Sequence, residues 1–146
     1  MNRTTLVCLL LGLAGSCFGQ SMGPLCPRHI EMPTYPPIAR AAHVTGKVSL
    51  MVTIDAGGRV TNAEVTNNDR WVPLLKTAAI ENIRTWTFTK PPSAPYTQTI
   101  VYVYELDPSL PSNHCSVAVT KVSFDLPDHI TVSTNVDFIN TEKSEN

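Results

Sequence analysis

The sequence predicts an α+β fold in which two helices pack on a small antiparallel β-sheet, followed by an extra C-terminal β-hairpin. Three patterns predict it: apolar residues alternating with a period of two in mid-chain, an apolar stripe at helical spacing after them, and a later run of β-branched and aromatic residues. The chain has 146 residues, which suits one domain. Its hydrophobic share of 42% is enough to fill a core.

The first regular element is predicted after an irregular leader, residues 20–31, whose prolines disfavour a helix or a central strand. A short helix is predicted over Ile38–His43, because Pro36 and Pro37 are accepted in a first helical turn. Gly46 ends that segment. The domain proper is predicted to span residues 32–106.

A β-hairpin is predicted next. Its first strand has apolar residues at every second position, which is typical of a half-buried strand. Asp55–Gly58 is predicted to form the turn, and the second strand is predicted over Arg59–Thr66. The apolar parity slips after Val60, which predicts a β-bulge. The alternating residues of the first strand are Val48, Leu50, Val52 and Ile54.

A second helix is predicted to start near Pro73, since apolar residues then recur at helical spacing. Trp86 closes this stripe, and we expect it, with Phe88, to lie in the core rather than on a recognition surface. The stripe consists of Leu75, Ala78, Ala79, Ile83 and Trp86.

Three strand-like runs complete the chain. Thr97–Leu106 is the richest in β-branched and aromatic residues. Ser116–Leu126 and Ile130–Phe138 are separated by Pro127-Asp128, a dipeptide that suits a type I turn. They form the predicted C-terminal extension, residues 107–146, whose last six residues are expected to fray.

Charge and residue spacing exclude several functions. The chain has 11 Lys and Arg against 12 Asp and Glu, so no nucleic-acid partner is expected. The four histidines are scattered, and no metal site is predicted. No nucleophile with a nearby base is apparent, so we expect no enzymatic activity and no cofactor.

Residues 1–19 have the pattern of a signal peptide, with Arg3 before the apolar run Leu6–Leu13 and small residues after it. This predicts export to the periplasm and a mature chain that begins at Gln20. Two alternatives stay open. One is a retained anchor, although the apolar segment is short for a membrane span. The other is a lipid-anchored protein of the cell envelope, modified at Cys17.

Removal of the signal peptide would leave two cysteines, Cys26 and Cys115. An even pair in an oxidising compartment predicts a disulfide bond between them. The alternative is two unpaired thiols.

Motifs in a fixed order connect these elements to a known family. Each motif is weak alone, but the ordered set resembles the C-terminal domain of TonB, a periplasmic energy transducer, over residues 32–106. The motifs are Tyr35-Pro36, Ala39-Arg40, Gly46-Lys47-Val48, Asp55 with Gly58-Arg59-Val60, Ala78-Ala79 and Trp86-Thr87-Phe88.

The resemblance implies a non-enzymatic, periplasmic protein-binding module that adds an extended peptide of an outer-membrane transport receptor to a sheet edge. Tyr35 and Pro36 have a second interpretation, as a contact that holds the first helix. The candidate partner-binding residues are Pro33, Thr34, Tyr35, Pro36, Thr97, Thr99, Val101 and Val103.

The alternative function is a structural envelope protein that binds cell wall or a neighbouring subunit without transducing energy. It is favoured by the expectation that the membrane helix and proline-rich spacer of the transducers are missing before residue 32. We also expect the C-terminal extension to cover the edge of Thr97–Leu106, because a long apolar edge strand invites aggregation. Ser116–Leu126 is the predicted covering strand, with Cys115 tying its start to the leader.

Overall fold

The computed structural model describes residues 23–111 and 118–136. Within these ranges it contains two helices and seven strands. In chain order they are β1 (Pro27–His29), α1 (Pro37–Ala41), β2 (Gly46–Ile54), β3 (Val60–Val65), α2 (Val72–Thr85), β4 (Thr87–Phe88), β5 (Tyr96–Leu106), β6 (Thr120–Asp125) and β7 (His129–Thr134).

The main sheet has five strands in the order β3-β2-β5-β7-β6, and β1 and β4 form a separate antiparallel pair. The predicted α+β class is confirmed, including the C-terminal hairpin, β6–β7. One pairing departs from the predicted antiparallel sheet, since β7 runs parallel to β5. Among the described residues, no helix is both long and apolar enough to span a membrane.

The core lies between one face of this sheet and α2. Every second residue of β2 and β5 points to that face, as their alternation predicts, and the register places Val48 beside Tyr102 and Leu50 beside Ile100. Trp86 and Phe88 are each 1% exposed, so both belong to the core as predicted. Their rings lie 6.2 Å apart between centroids.

Two features form the turn between β2 and β3. Gly58 adopts a positive φ, as the sequence predicts, and the Asp55 side chain binds the backbone of the loop. The Asp55 carboxylate accepts hydrogen bonds from the backbone N–H groups of Gly57 and Arg59. Gly58 has φ +86°, and a Cβ at this position would lie 2.2 Å from the Phe88 carbonyl oxygen. The bulge is confirmed, because the register shifts where Ile54 pairs with Val60.

Two predictions for the first part of the chain need correction. The leader is not irregular throughout, since Pro27–His29 forms a short strand against β4. Pro27 is tolerated there because this pair is only two strands wide and edge positions accept proline. The first helix covers Pro37–Ala41 and stops before His43, which has φ 52°.

The prediction that Ser116–Leu126 covers the edge of β5 is also wrong. Among the described strands, β6, within the run Ser116–Leu126, pairs with β7 alone, while β7 pairs with β5 from Val101 to Leu106. The physical reason is packing: β7 places Ile130 and Val132 on the core face, where they are 1% and 0% exposed. The inward residues of β6 are only half-buried. Residues 112–117 and 137–146 lie outside the described part of the chain, as does Cys115.

Candidate protein-binding surface

The edge of β5 is divided into a paired half and an open half. Val101 and Val103 pair with His129 and Thr131 of β7, and the Val101 N–H donates to the Asp128 carbonyl at 2.7 Å. Because backbone groups alternate along a strand, those of Thr97 and Thr99 point to the same side as those of Val101. In the described part of the chain, β7 does not extend to them, and both side chains are exposed.

The leader passes this open half on the core face of the sheet. The Gln98 side-chain amide contacts both backbone groups of Leu25, accepting from its N–H at 2.8 Å. The Tyr96 hydroxyl donates to the Gly23 carbonyl at 3.0 Å. The leader is therefore held by inward-facing side chains of β5, whereas Thr97 and Thr99 face the other side of the sheet.

The segment Pro33–Pro36 lies at the opposite end of β5. Tyr35 donates a hydrogen bond to the Val44 carbonyl, and its ring meets that of Tyr104 edge-on at 5.4 Å. Burial, with a smaller contribution from the Glu105 charge, raises the pKa of Tyr35 to about 12. These contacts give Tyr35 a structural role in holding α1, while Thr34 beside it is exposed.

The structure does not bring the eight candidate residues into one site. Tyr35 packs on Tyr104, which lies seven positions along β5 from Thr97, about 23 Å at the usual rise per strand residue. β7 occupies the edge between them. Val101 and Val103 remain half-buried on the sheet face that is turned away from α2.

An exposed apolar pair accompanies the Pro33–Pro36 segment. Met32 is 57% exposed and Ile38 is 65% exposed, one on each side of it in sequence. Each adds exposed apolar area near this segment. Neither residue is marked by the sequence, because an isolated exposed apolar residue belongs to no periodic pattern.

A buried polar cluster was also missed from the sequence. The Asn82 side-chain amide donates to the Glu31 carbonyl at 2.9 Å, and the Tyr102 hydroxyl donates to Asn82 Oδ1 at 2.7 Å. Trp86 Nε1 donates to the same Glu31 carbonyl at 3.2 Å. Burial raises the pKa of Tyr102 above its ordinary value. The signal was present, since Asn82 falls on the apolar stripe of α2, where a polar residue needs a partner.

Neither a predicted disulfide nor a metal centre is seen in the described residues. Cys26 is exposed and forms no disulfide bond with another described residue, and its predicted partner, Cys115, lies outside those residues. No group of three or more His, Cys, Asp or Glu side chains that could hold a metal ion occurs within residues 23–111 and 118–136.

A known family covers the part of the fold from the end of the leader to the end of β5. The sequence model of the family described as Gram-negative bacterial TonB protein C-terminal matches residues 31–106. The chain belongs to this family. The matched range of the TonB C-terminal domain includes α1, β2, β3, α2, β4 and β5, and it ends where β5 ends. β6 and β7 therefore lie beyond the matched TonB region.

Individual TonB proteins show the same similarity. The protein named TonB from two strains of Xanthomonas campestris pv. campestris is 41% identical to this chain over 61 residues, which are 42% of this chain and 27% of the relative. The similarity thus covers about a quarter of the relatives' length. A solution NMR structure of the Pseudomonas aeruginosa TonB C-terminal domain matches with 19% identity and a TM-score of 0.44, covering 57% of this chain and 88% of that one.

Proposed function

We propose that this TonB C-terminal domain is a non-enzymatic protein-binding module of the periplasm, exported by the signal peptide of residues 1–19. Its partner is an extended segment of an outer-membrane transport receptor, bound by β-strand addition. The observation that carries the proposal is the open half of β5, where Thr97 and Thr99 present exposed side chains and an edge that β7 does not reach.

The partner would bind without displacing β7. Removal of β7 would expose Ile130 and Val132, at about 1.5–3 kcal/mol for each side chain. A peptide that makes four to six backbone hydrogen bonds gains about 1 kcal/mol net for each bond. Association costs at least about 4 kcal/mol of that gain. The surplus is too small to expel β7, so binding uses the open half of β5 and the Pro33–Pro36 end separately.

Val101 and Val103 keep a role in this proposal through their side chains. Their backbone groups face β7, but their side chains lie on the sheet face turned away from α2, in line with Thr97 and Thr99. A segment paired with the first half of β5 would continue toward them over that face. The candidate residues that remain accessible then form two contact areas, one along β5 and one at Thr34 and Pro36, whereas Pro33 and Tyr35 are buried.

The pairing of β7 with β5 favours the alternative function, a structural protein of the cell envelope. β7 covers β5 from Val101 to Leu106, which is about half of the longest strand in the sheet. A domain with that edge permanently paired suits a protein that binds cell wall or a neighbouring envelope subunit and transmits no force. The lipid-anchored form, modified at Cys17, would suit this second function because it fixes the domain to a membrane.

Site-specific photo-crosslinking in the cells of origin tests the proposal. A photoreactive p-benzoylphenylalanine placed at Thr99 should crosslink to an outer-membrane transport receptor, and the same group at Ser93, in the exposed turn before β5, should not. Crosslinks from Thr99 to peptidoglycan or to an inner envelope protein would support the structural alternative instead. The mass of the mature protein shows whether it begins at Gln20 or carries lipid on Cys17.

A further inference from the structure

A second open strand edge lies on the other side of the sheet, beside α2. A groove of about 670 Å³ separates β3 from α2. Its strand wall is the end of β3, Glu64 and Val65, and the loop of residues 66–68 continues from it. Its helix wall is formed by Val72, Lys76 and Ile80, which follow one another at intervals of four along one side of the helix.

The backbone of β3 is free to accept a further strand at this groove. The Thr66 N–H donates to the Ser49 carbonyl at 2.8 Å, so the backbone groups of Thr66 and Glu64 face β2. Those of Val65 and Ala63 alternate to the opposite side. Within residues 23–111 and 118–136, the strand contacts at this edge fall before β3 begins: Thr87 bridges to Arg59, and the Phe88 N–H donates to the Gly58 carbonyl at 2.7 Å.

The loop after β3 closes one end of the groove. The Asn67 side chain takes the place of a strand residue: its Oδ1 accepts from the Ser49 N–H at 2.8 Å and its amide donates to the Lys47 carbonyl at 2.8 Å. This pairing completes the ladder of β2 with a side chain. The main chain is then released to turn toward α2, and it forms the end wall of the groove.

Apolar side chains line part of the groove, and two charged residues, Lys76 and Glu64, line it as well. Val65, Val72 and Ile80 line it, and a strand added to β3 would place every second side chain against them. Lys76 has no ion pair or hydrogen bond with another described residue. Glu64, which also lines the groove, has its side chain on the sheet face shared with Met51 and accepts a hydrogen bond from Asn62 at 2.8 Å.

From this geometry we infer that the groove between β3 and α2 binds an extended peptide of a partner protein, with apolar residues at alternate positions and an acidic residue opposite Lys76. The peptide pairs with the open backbone of Ala63 and Val65. The inference rests on the proposed function in that the domain binds protein segments. It places a second binding edge at β3, the edge strand at the end of the sheet opposite the hairpin β6–β7.

Peptide probes test the groove directly. Labelled octapeptides in which Val alternates with Thr, with Asp, Lys or Ser at the central polar position, are titrated against the purified chain by fluorescence anisotropy. The Asp peptide should bind about fivefold or more tightly than the Lys peptide, as expected for an exposed charge pair. NMR-detected hydrogen exchange should show that the amides of Ala63 and Val65 become protected on binding.

Two variants and one control show whether the peptides bind in the groove. Lys76→Glu should reverse the preference between the Asp and Lys peptides, whereas Lys121→Glu, the matched change on β6, should leave it unchanged. Val65→Pro should abolish binding of all three peptides, because it removes an N–H that is not used by β2. Lys76→Glu is a surface change, so it decides the question even where the proline variant does not fold.

Equal affinity for the Asp and Lys peptides, or protection at Thr97 and Thr99 without protection at Val65, would overturn the inference. Neither result bears on the receptor crosslink expected from Thr99, so the proposed function would stand. Conversely, peptide binding at β3 without any receptor crosslink would support the binding groove and contradict the proposed receptor partner.

Discussion

The Tyr102 hydroxyl donates a hydrogen bond to Asn82 Oδ1 at 2.7 Å, and this bond joins the middle of β5 to α2 inside the core. The Asn82 amide also donates to the Glu31 carbonyl, so one side chain connects three segments: the chain before α1, the helix and the central strand. A polar group in this position is stabilising only while all its partners are present, because an unsatisfied buried donor or acceptor loses its hydration without compensation.

Asn82→Ala is therefore expected to lower the free energy of unfolding by about 2–3 kcal/mol, since it leaves the Tyr102 hydroxyl without its acceptor. Urea denaturation of the purified chain measures the loss. The double variant Asn82→Leu/Tyr102→Phe is expected to lose less than the sum of its two single variants, because it removes both polar partners together. Fully additive losses would show that the two residues do not interact.

Trp86→Ala is expected to destabilise the fold by about 3–5 kcal/mol, as is usual for truncation of a buried tryptophan. Its ring lies 6.2 Å from Phe88 and 6.0 Å from Phe124, so the cavity would extend from α2 to β6. Trp71, which is 40% exposed and stacks on Arg70, supplies the matched control, and Trp71→Ala should shift the denaturation midpoint only slightly. An unchanged midpoint for Trp86→Ala would contradict its place in the core.

The mature protein is expected to carry a Cys26–Cys115 disulfide bond when isolated from an oxidising compartment. Cys26 is exposed, so a second thiol can reach it without opening the core. Mass spectrometry of the non-reduced protein should find one intramolecular crosslink and no thiol that reacts with iodoacetamide. The Cys26→Ser variant is the control, and it should expose one reactive thiol at Cys115. Two reactive thiols in the unmodified protein would disprove the bond.

Stability is expected to fall at alkaline pH. The pKa of Tyr35 is raised from 10.0 to about 12, and burial raises the pKa of Tyr104 as well, so the folded state holds these phenols neutral. The unfolded state releases their protons above pH 10, and the stability they contribute is therefore complete below pH 10 and is lost as the pH rises toward 12. Urea midpoints measured from pH 9 to 12 should show this decline. Tyr35→Phe should make it shallower, and an equally steep decline in that variant would exclude Tyr35 as a contributor.

The sequence carried the local pattern of this fold but not its longest-range choices. The alternation of β2 and the stripe of α2 were predictable because neighbouring residues encode them, and the Asp55 turn because its side chain bonds its own loop. The choice of β7 rather than β6 as the neighbour of β5 was not, since both runs alternate and the decision lies in how Ile130 packs beside Tyr102.

The candidate site could likewise be predicted from the sequence only in part. The open half at Thr97 and Thr99 lies within a strand that the sequence predicted, but its limit is set by Asp128, which comes from a turn in the tail. Asn82 itself stands out as a polar residue on the apolar stripe of α2, but its two partners, which lie 51 and 20 residues away in sequence, do not. Contacts of that separation leave no periodic pattern for sequence analysis to detect.

The division of β5 into a paired and an open half should be visible in amide hydrogen exchange. The Val101 N–H donates to Asp128, and Val103 pairs with Thr131, so both amides should exchange slowly. The amides of Thr97 and Thr99 point to the same edge, where β7 does not reach, and should exchange much faster. Ile100 and Tyr102, whose backbone groups alternate toward β2, are internal controls and should be slow along the whole strand. Uniformly fast exchange at Thr97, Thr99, Val101 and Val103 would show that β7 leaves the edge open in solution, and a partner could then pair with the whole of β5.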